Sequence, residues 1–172
     1  MSGSRLFDIR AYRVANPDLE NKTVAQIEAM PQDLRAFIVR IRRGTEIVET
    51  TPATVVLRGD VVAVIARQEA HVERSERIGI EVDDKALLDI PIEVLDVVVT
   101  RKSIVGKSLP ELASLEAARG VFLRTLTRSG HQIPIGAMTR VDRGDVLRLV
   151  GTKAEVERAA KELGYADRPT VE

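Results

Sequence analysis

The feature that most constrains the fold is an internal repeat. The tripeptide Arg-Gly-Asp at 58–60 returns at 143–145, a shift of 85 residues. The same shift places the segment Asn-Lys-Thr-Val at 21–24 on Gly-Lys-Ser-Leu at 106–109. Matches at one fixed shift are the signature of a duplicated structural unit. Any fold proposed for this chain must therefore contain the same unit twice.

The repeat also sets the domain organisation. Hairpin segments 37–44 and 121–130 match with a slip of about one residue. A unit of roughly 75 residues has a marginal core by itself, so we expect the copies to pair, either within one chain or between chains of a homodimer. The predicted boundaries are an added leader at 1–5, a first repeat at 6–82, a linker at 83–91, a second repeat at 92–167 and a tail at 168–172.

Each copy reads in the order β-α-β-β-β-α, so the predicted fold class is α+β. The first helix begins after a capping hydroxyl, Thr23 or Ser108, and the closing charged helix ends at Gly79 or Gly164, which we expect in a left-handed cap. Each Arg-Gly-Asp tripeptide lies where an irregular segment leads into the fourth strand. We interpret it as a turn with Arg and Asp facing water, not as a cell-adhesion signal.

Composition narrows the class of protein. The 172 residues are 44% hydrophobic and 30% charged, with a formal net charge of +0 and no cysteine. This balance is typical of a soluble domain with a core. The zero net charge lacks the basic excess of a nucleic-acid-binding protein. The absence of cysteine excludes disulfides and thiolate metal sites. The longest wholly apolar run, Val61–Ala66, is far shorter than the roughly 20 residues of a membrane helix.

Few residues carry catalytic chemistry. His71 and His131 fall at different positions of the two copies, so they do not converge as metal ligands, and we expect both to be solvated. The Asp83-Asp84 pair reads as a cap or turn, and no serine has the context of a nucleophile elbow. We therefore predict no catalytic residue, no metal, no cofactor and no enzymatic activity.

Three arginines are the candidate ligand-binding residues. Strand alternation places Arg124 on one face with Phe122 and Leu126, with Arg128 beyond, and Arg40 lies in the matching strand of the first repeat. An arginine among apolar neighbours needs a carboxylate, a carbonyl or an anionic ligand. Two readings stay open: a salt bridge between repeats or protomers, and a site for a small anionic effector.

A family resemblance covers nearly the whole chain. The second repeat resembles the RCK C-terminal (TrkA-C) domain through Gly-Lys-Ser-Leu at 106–109, Ile-Pro at 133–134 and Arg-Gly-Asp-Val-Leu at 143–147. The first repeat keeps the tripeptide but lacks Ile-Pro and has Asn21 for the first glycine, so it resembles the domain less closely. No Gly-x-Gly-x-x-Gly nucleotide-binding motif follows any strand.

The resemblance implies a role in membrane transport. A tandem pair of such domains without a nucleotide-binding partner is similar to the cytosolic insert of the aspartate:alanine exchanger family, where two copies separate two membrane halves. It implies a regulatory or assembly role on the cytoplasmic face of the membrane, with the membrane halves as partners in cis. The alternative is a separate soluble subunit that binds a potassium channel or uptake system.

Overall fold

The computed structural model of this protein describes residues 7–31 and 35–166. The chain forms two compact units, and the division falls between Ile90 and Pro91. The predicted leader and tail lie outside the described residues.

The described part of the first unit contains five strands and three short α-helices. Its elements are β1 (Phe7–Arg13), α1 (Val24–Glu28), β2 (Ala36–Arg43), β3 (Glu46–Glu49), β4 (Val61–Arg67), α2 (His71–Arg77), β5 (Glu81–Val82) and α3 (Lys85–Leu88). Two 3₁₀ turns, Pro17–Leu19 and Gln68–Ala70, precede α1 and α2. Helix α3 lies within the segment that the sequence assigns to the linker, where the Asp84 carboxylate caps it and it contacts β1 and β2.

The second unit repeats the first. Its elements are β6 (Ile92–Val99), α4 (Leu109–Ala113), β7 (Val121–Arg128), β8 (His131–Ile133), β9 (Val146–Thr152), α5 (Lys153–Leu163) and β10 (Gly164–Ala166). The predicted α+β class and the order β-α-β-β-β-α are confirmed in both units, and each gains a short fifth strand after its closing helix. No helix among the described residues is long and apolar enough to cross a membrane.

Both sheets have the same strand order. It is β3-β2-β4-β1-β5 in the first unit and β8-β7-β9-β6-β10 in the second, with every neighbouring pair antiparallel. The first helices also match, since Thr23 with Gln26 and Ser108 with Glu111 form equivalent capping boxes. The duplication therefore extends from sequence to topology and to capping.

The slip predicted in the hairpins is wrong. Arg43 pairs with Glu46 at the end of the first hairpin, and Arg128 pairs with His131 at the same point of the second, both at the shift of 85. The irregularity is a β-bulge that both copies share, between Ile38 and Arg40 and between Leu123 and Thr125. Matching the two turn glycines, Gly44 and Gly130, produced the apparent slip.

The closing glycines are explained by a close backbone approach. A Cβ on Gly79 would lie 1.9 Å from the carbonyl oxygen of Arg13, and one on Gly164 would lie 1.9 Å from that of Val98. Gly79 has a φ of 152°, whereas Gly164 has a φ of 170°, which is extended backbone. The left-handed cap expected at Gly164 is therefore wrong, because that glycine begins β10 against β6.

Each unit buries its own aliphatic core on the helix-covered face of its sheet. In the first unit the core includes alternate residues of β4 (Val62, Val64, Ala66), and in the second it includes Leu147 and Leu149 of β9. These clusters also take in Val56 and Val141 from the irregular segments before the fourth strands. All residues of β4 from Val61 to Ala66 are buried, so this strand is covered on both faces. In β9, by contrast, Arg148 stays exposed between Leu147 and Leu149.

Candidate functional site

The Arg-Gly-Asp turns are structural ion-pair sites. Asp60 and Asp145 are 3% and 1% exposed, so the expectation that both aspartates face water is wrong. The Asp60 carboxylate accepts two hydrogen bonds from Arg43, at 2.9 and 2.7 Å, and one from the Leu57 N–H at 2.8 Å. A bidentate arginine is the usual way to satisfy a buried carboxylate. Arg58, by contrast, is 77% exposed.

The second repeat reproduces this arrangement around one of the predicted site residues. Arg128 donates to both carboxylate oxygens of Asp145 at 2.9 Å and to the Arg140 carbonyl at 2.9 Å. The pairing fixes the start of the fourth strand to the end of the hairpin. This ion pair lies within one repeat, so it differs from the expected salt bridge between repeats or protomers. It explains why the tripeptide is duplicated.

The other two predicted arginines have separate surroundings. Arg40 donates to the Glu49 carboxylate at 2.8 Å and to the Asp89 carbonyl at 3.3 Å. Arg124 is the bulge residue of β7, at the position equivalent to Val39. The three arginines are therefore not repeat equivalents, and an anionic effector near them stays a prediction.

The bulge also changes which residues share a face with Arg124. The core cluster of the second unit includes Val121 and Leu126 but not Phe122. Simple alternation would put Phe122 and Leu126 together, so the predicted shared face is wrong. The extra residue re-phases the strand after Leu123.

His71 is buried, so its predicted solvation is wrong. It is 2% exposed, and its Nε2 lies 3.0 Å from the Asp8 carbonyl oxygen. A carbonyl only accepts, so Nε2 carries the proton and Nδ1 accepts from the Tyr12 hydroxyl at 2.7 Å. Burial lowers the pKa of His71 and raises the pKa of Tyr12 to about 12. His131 is exposed, as expected.

The lowered pKa of His71 makes the stability depend on pH. In the unfolded chain His71 takes up a proton near pH 6.5, whereas in the folded protein it does so only at lower pH. We therefore expect the free energy of unfolding to fall as the pH is lowered through 6.5, measured by urea denaturation between about pH 7.5 and 5. His71→Gln should lose this pH-dependent part of the free energy of unfolding. His131→Gln, which changes the exposed histidine, is the control and should keep it. Identical profiles for the two variants would contradict the assignment.

A cavity of about 300 Å³ lies in the first unit between the sheet and its helices. Its apolar wall combines Leu19 of the 3₁₀ turn, Ile27 of α1, Ile38 of β2 and Val64 of β4. Ala36 also lines it, and a small side chain at that position leaves space between β2 and α2. The cavity is thus formed by residues from every layer of the unit.

Polar groups line one part of this cavity. They are Asn16, Asp18, Glu28, Arg74 and Arg77. Glu28 accepts a hydrogen bond from the Ile38 N–H at 2.8 Å, and the Asn16 amide donates to the Arg77 carbonyl at 2.7 Å. Arg74 and Arg77 are three residues apart on α2, which places them on one face of the helix.

The two arginines give the cavity an unusual electrostatic character. Arg74 is 5% exposed, and its pKa is lowered, first by burial and then by the nearby charge of Arg77. Within residues 7–31 and 35–166 the Arg77 guanidinium, which is half-buried, forms no ion pair. Arg74 already donates to the Glu73 carboxylate at 3.1 Å and to the Ala70 carbonyl at 3.4 Å. Arg77 is therefore the guanidinium group of this pair that suits a bound carboxylate or phosphate.

The second unit has apolar residues at several positions where the first unit buries a polar side chain. At the shift of 85, Tyr12 and His71 correspond to Val97 and Val156, and Arg74 corresponds to Ala159, all three buried in the second core. Two small lining residues also become larger, since Ala36 corresponds to Val121 and Val64 to Leu149. The same fold therefore forms without Tyr12, His71 and Arg74, which are buried polar residues of the first unit alone.

This comparison also identifies the signal that sequence reasoning missed. His71 was expected to be solvated, yet His71 and Arg74 of the charged helix are both buried. Setting each first-repeat residue beside its partner 85 positions later shows polar residues opposite valine or alanine. Such pairs mark positions where the fold accepts an apolar residue and the first repeat has a polar one.

The first repeat matches a known domain family. Residues 9–74 match the model of the TrkA-C domain family. The match falls on the repeat that has fewer of the motifs of the domain in its sequence. The second unit has the same strand order and the same capped first helix.

Several proteins with similar sequences are bacterial transporters. An uncharacterized transporter of Bradyrhizobium diazoefficiens is 38% identical over 98% of this chain, and a second one from that organism is 42% identical over 95%. An uncharacterized transporter of Bordetella parapertussis is 38% identical over 92% of the chain. The chain spans 33%, 29% and 28% of their respective lengths. The first repeat thus carries a TrkA-C domain, in a chain that is similar over nearly its whole length to about a third of a bacterial transporter.

Proposed function

We propose that this chain is the cytosolic regulatory region of a longer bacterial secondary transporter of the aspartate:alanine exchanger type. The observation that carries the proposal is coverage, since 98% of the chain aligns with 33% of a transporter. The TrkA-C match supports a regulatory role, and the length of the relatives favours a region of a longer protein over a separate channel subunit.

The mechanism is a bias between transporter states and not catalysis. The two units would hold a ligand or join protomers, and their state would favour one conformation of the membrane halves in cis. A regulatory coupling of this kind is worth about 1–3 kcal/mol, which corresponds to about a 5–150-fold change in the equilibrium. The partners are the membrane halves and, through homodimerisation, a second copy of the chain.

Removal of the region tests this function. In the intact transporter that contains this chain, residues 7–166 are replaced by a short Gly-Ser linker, and aspartate uptake is measured in alanine-loaded proteoliposomes. We expect the exchange rate to change by about fivefold or more, because the bias on the membrane halves is lost. An unchanged rate with an unchanged oligomeric state would contradict the regulatory role. Failure of the intact transporter to exchange aspartate for alanine would contradict the exchanger type.

A further inference from the structure

The cavity of the first unit has the size and lining of a metabolite site. Its volume of about 300 Å³ lies at the lower end of the range of small-molecule pockets, about 300–1,000 Å³. Leu19, Ile27, Ile38, Val64 and Ile78 provide an apolar wall for a short aliphatic group. The site therefore suits a compact molecule and is too small for a dinucleotide.

The charges of the lining indicate what the ends of that molecule carry. Arg77 presents a guanidinium group from α2 beside the Arg74–Glu73 ion pair, and Asp18 presents a carboxylate from the 3₁₀ turn. The Glu28 carboxylate accepts from the Ile38 N–H. Guanidinium groups bind carboxylates with two donors, and carboxylates bind ammonium groups. A ligand with both charges matches this lining better than a simple anion does.

We propose that this cavity binds a small aliphatic α-amino acid. Its carboxylate contacts Arg77 beside the Arg74–Glu73 ion pair. Its ammonium group contacts Asp18, and its side chain packs on the apolar wall. The second unit is the internal comparison, because Ala159 and Glu162 stand in place of Arg74 and Arg77 and larger side chains stand at Val121 and Leu149. The ligand site is therefore a property of the first unit.

Direct binding to the 172-residue chain tests the ligand class. Leucine, valine and alanine are titrated and followed by amide chemical shifts, beside 4-methylpentanoate and 3-methylbutylamine, which each keep one charge of leucine. We expect at least one of the amino acids to saturate with a Kd below about 1 mM, and the two single-charge analogues to bind at least about tenfold more weakly. Absence of saturation by all three amino acids up to about 10 mM overturns the proposal. Equal binding of 4-methylpentanoate overturns the amino-acid assignment.

Two variants locate the site. Ala36→Val with Val64→Leu introduces the side chains of the second unit and fills the cavity, so binding should be lost while the melting temperature is kept or raised. Arg77→Gln removes one half-buried charge and should weaken binding by about tenfold. Leu149→Val, at the position equivalent to Val64, is the matched control and should leave binding unchanged. Full binding by both cavity variants overturns the location.

The regulatory use of this site rests on the proposed function. Different results would overturn the ligand site and the regulatory function. Arg77→Gln in the intact transporter should alter the dependence of exchange on cytosolic amino acid while the deletion of the region alters exchange itself. Amino-acid binding without any effect of Arg77→Gln on exchange overturns the regulatory use of the site. An effect of the deletion without any amino-acid binding overturns the site and leaves the regulatory region in place.

Discussion

Replacing Asp60 by alanine is expected to lower the free energy of unfolding by about 3 kcal/mol. The side chain is 3% exposed and accepts three hydrogen bonds, two of them from the Arg43 guanidinium. The change leaves the Leu57 N–H without its acceptor and releases the hairpin end from the fourth strand. Arg43 is 44% exposed and can turn toward water, which keeps the cost at the lower end for a broken ion pair. Urea denaturation followed by circular dichroism measures the effect.

The same tripeptide provides the control. Arg58→Ala alters the exposed arginine beside Asp60 and should change the free energy of unfolding by less than about 0.5 kcal/mol. The single variants Asp145→Ala and Arg143→Ala repeat this comparison in the second unit, where Arg128 takes the place of Arg43. Equal, small effects of Asp60→Ala and Arg58→Ala would show that the buried pair does not stabilise the turn.

Replacing Gly164 by alanine is expected to cost about 3 kcal/mol or more. The added Cβ would lie 1.9 Å from the Val98 carbonyl oxygen and 3.0 Å from the Thr100 nitrogen, and both neighbours are backbone atoms that cannot swing aside. Since the φ of 170° is open to any residue, the cost is steric and comes from separating β10 from β6. Thermal unfolding and amide exchange at Val97–Val99 measure it.

Gly136→Ala is the matched control. Its Cβ would meet only the Thr139 hydroxyl, at 3.8 Å, so the free energy of unfolding should change by less than about 0.5 kcal/mol. Gly79→Ala should resemble Gly164→Ala, because its Cβ meets the Arg13 carbonyl at the equivalent position. Native amide protection of β6 in Gly164→Ala would show that the strands stay paired despite the added Cβ and would contradict the steric account.

The repeat made most of the element order predictable from sequence. A shift of 85 residues aligns strands, capped helices and tripeptides, and each local pattern occurs twice. The strand order could not be predicted, because β1 pairs with β4 across the whole unit and nothing local specifies that partner. The two-residue strand Glu81–Val82 and the three-residue strand Gly164–Ala166 are too short for alternation to show.

The partners of the buried polar residues were harder to predict from the sequence. Asp60 reads as an exposed turn residue because its partner, Arg43, is 17 residues away in sequence. His71 reads as solvated because it begins a charged helix, yet the hydroxyl of Tyr12 and the carbonyl of Asp8 satisfy its ring nitrogens. The cavity depends on small differences in side-chain volume between equivalent positions, such as Ala36 and Val121. Hydrophobic periodicity cannot predict these differences, because both residues count as apolar. Hydrogen-bond partners that are distant in sequence, and cavities, arise from tertiary packing and cannot be read from the local sequence pattern.

In each sheet the strand that begins the unit pairs with the short strand that follows its closing helix. β1 lies beside β5, and β6 lies beside β10, with Ala166 opposite Val97 and the chain running back toward Ile92. Neighbouring strands are about 4.8 Å apart, so the first and last strands of each sheet lie side by side although they are far apart in sequence. One edge of each sheet therefore depends on this strand pair, so the loss of either strand leaves an unpaired edge on the other.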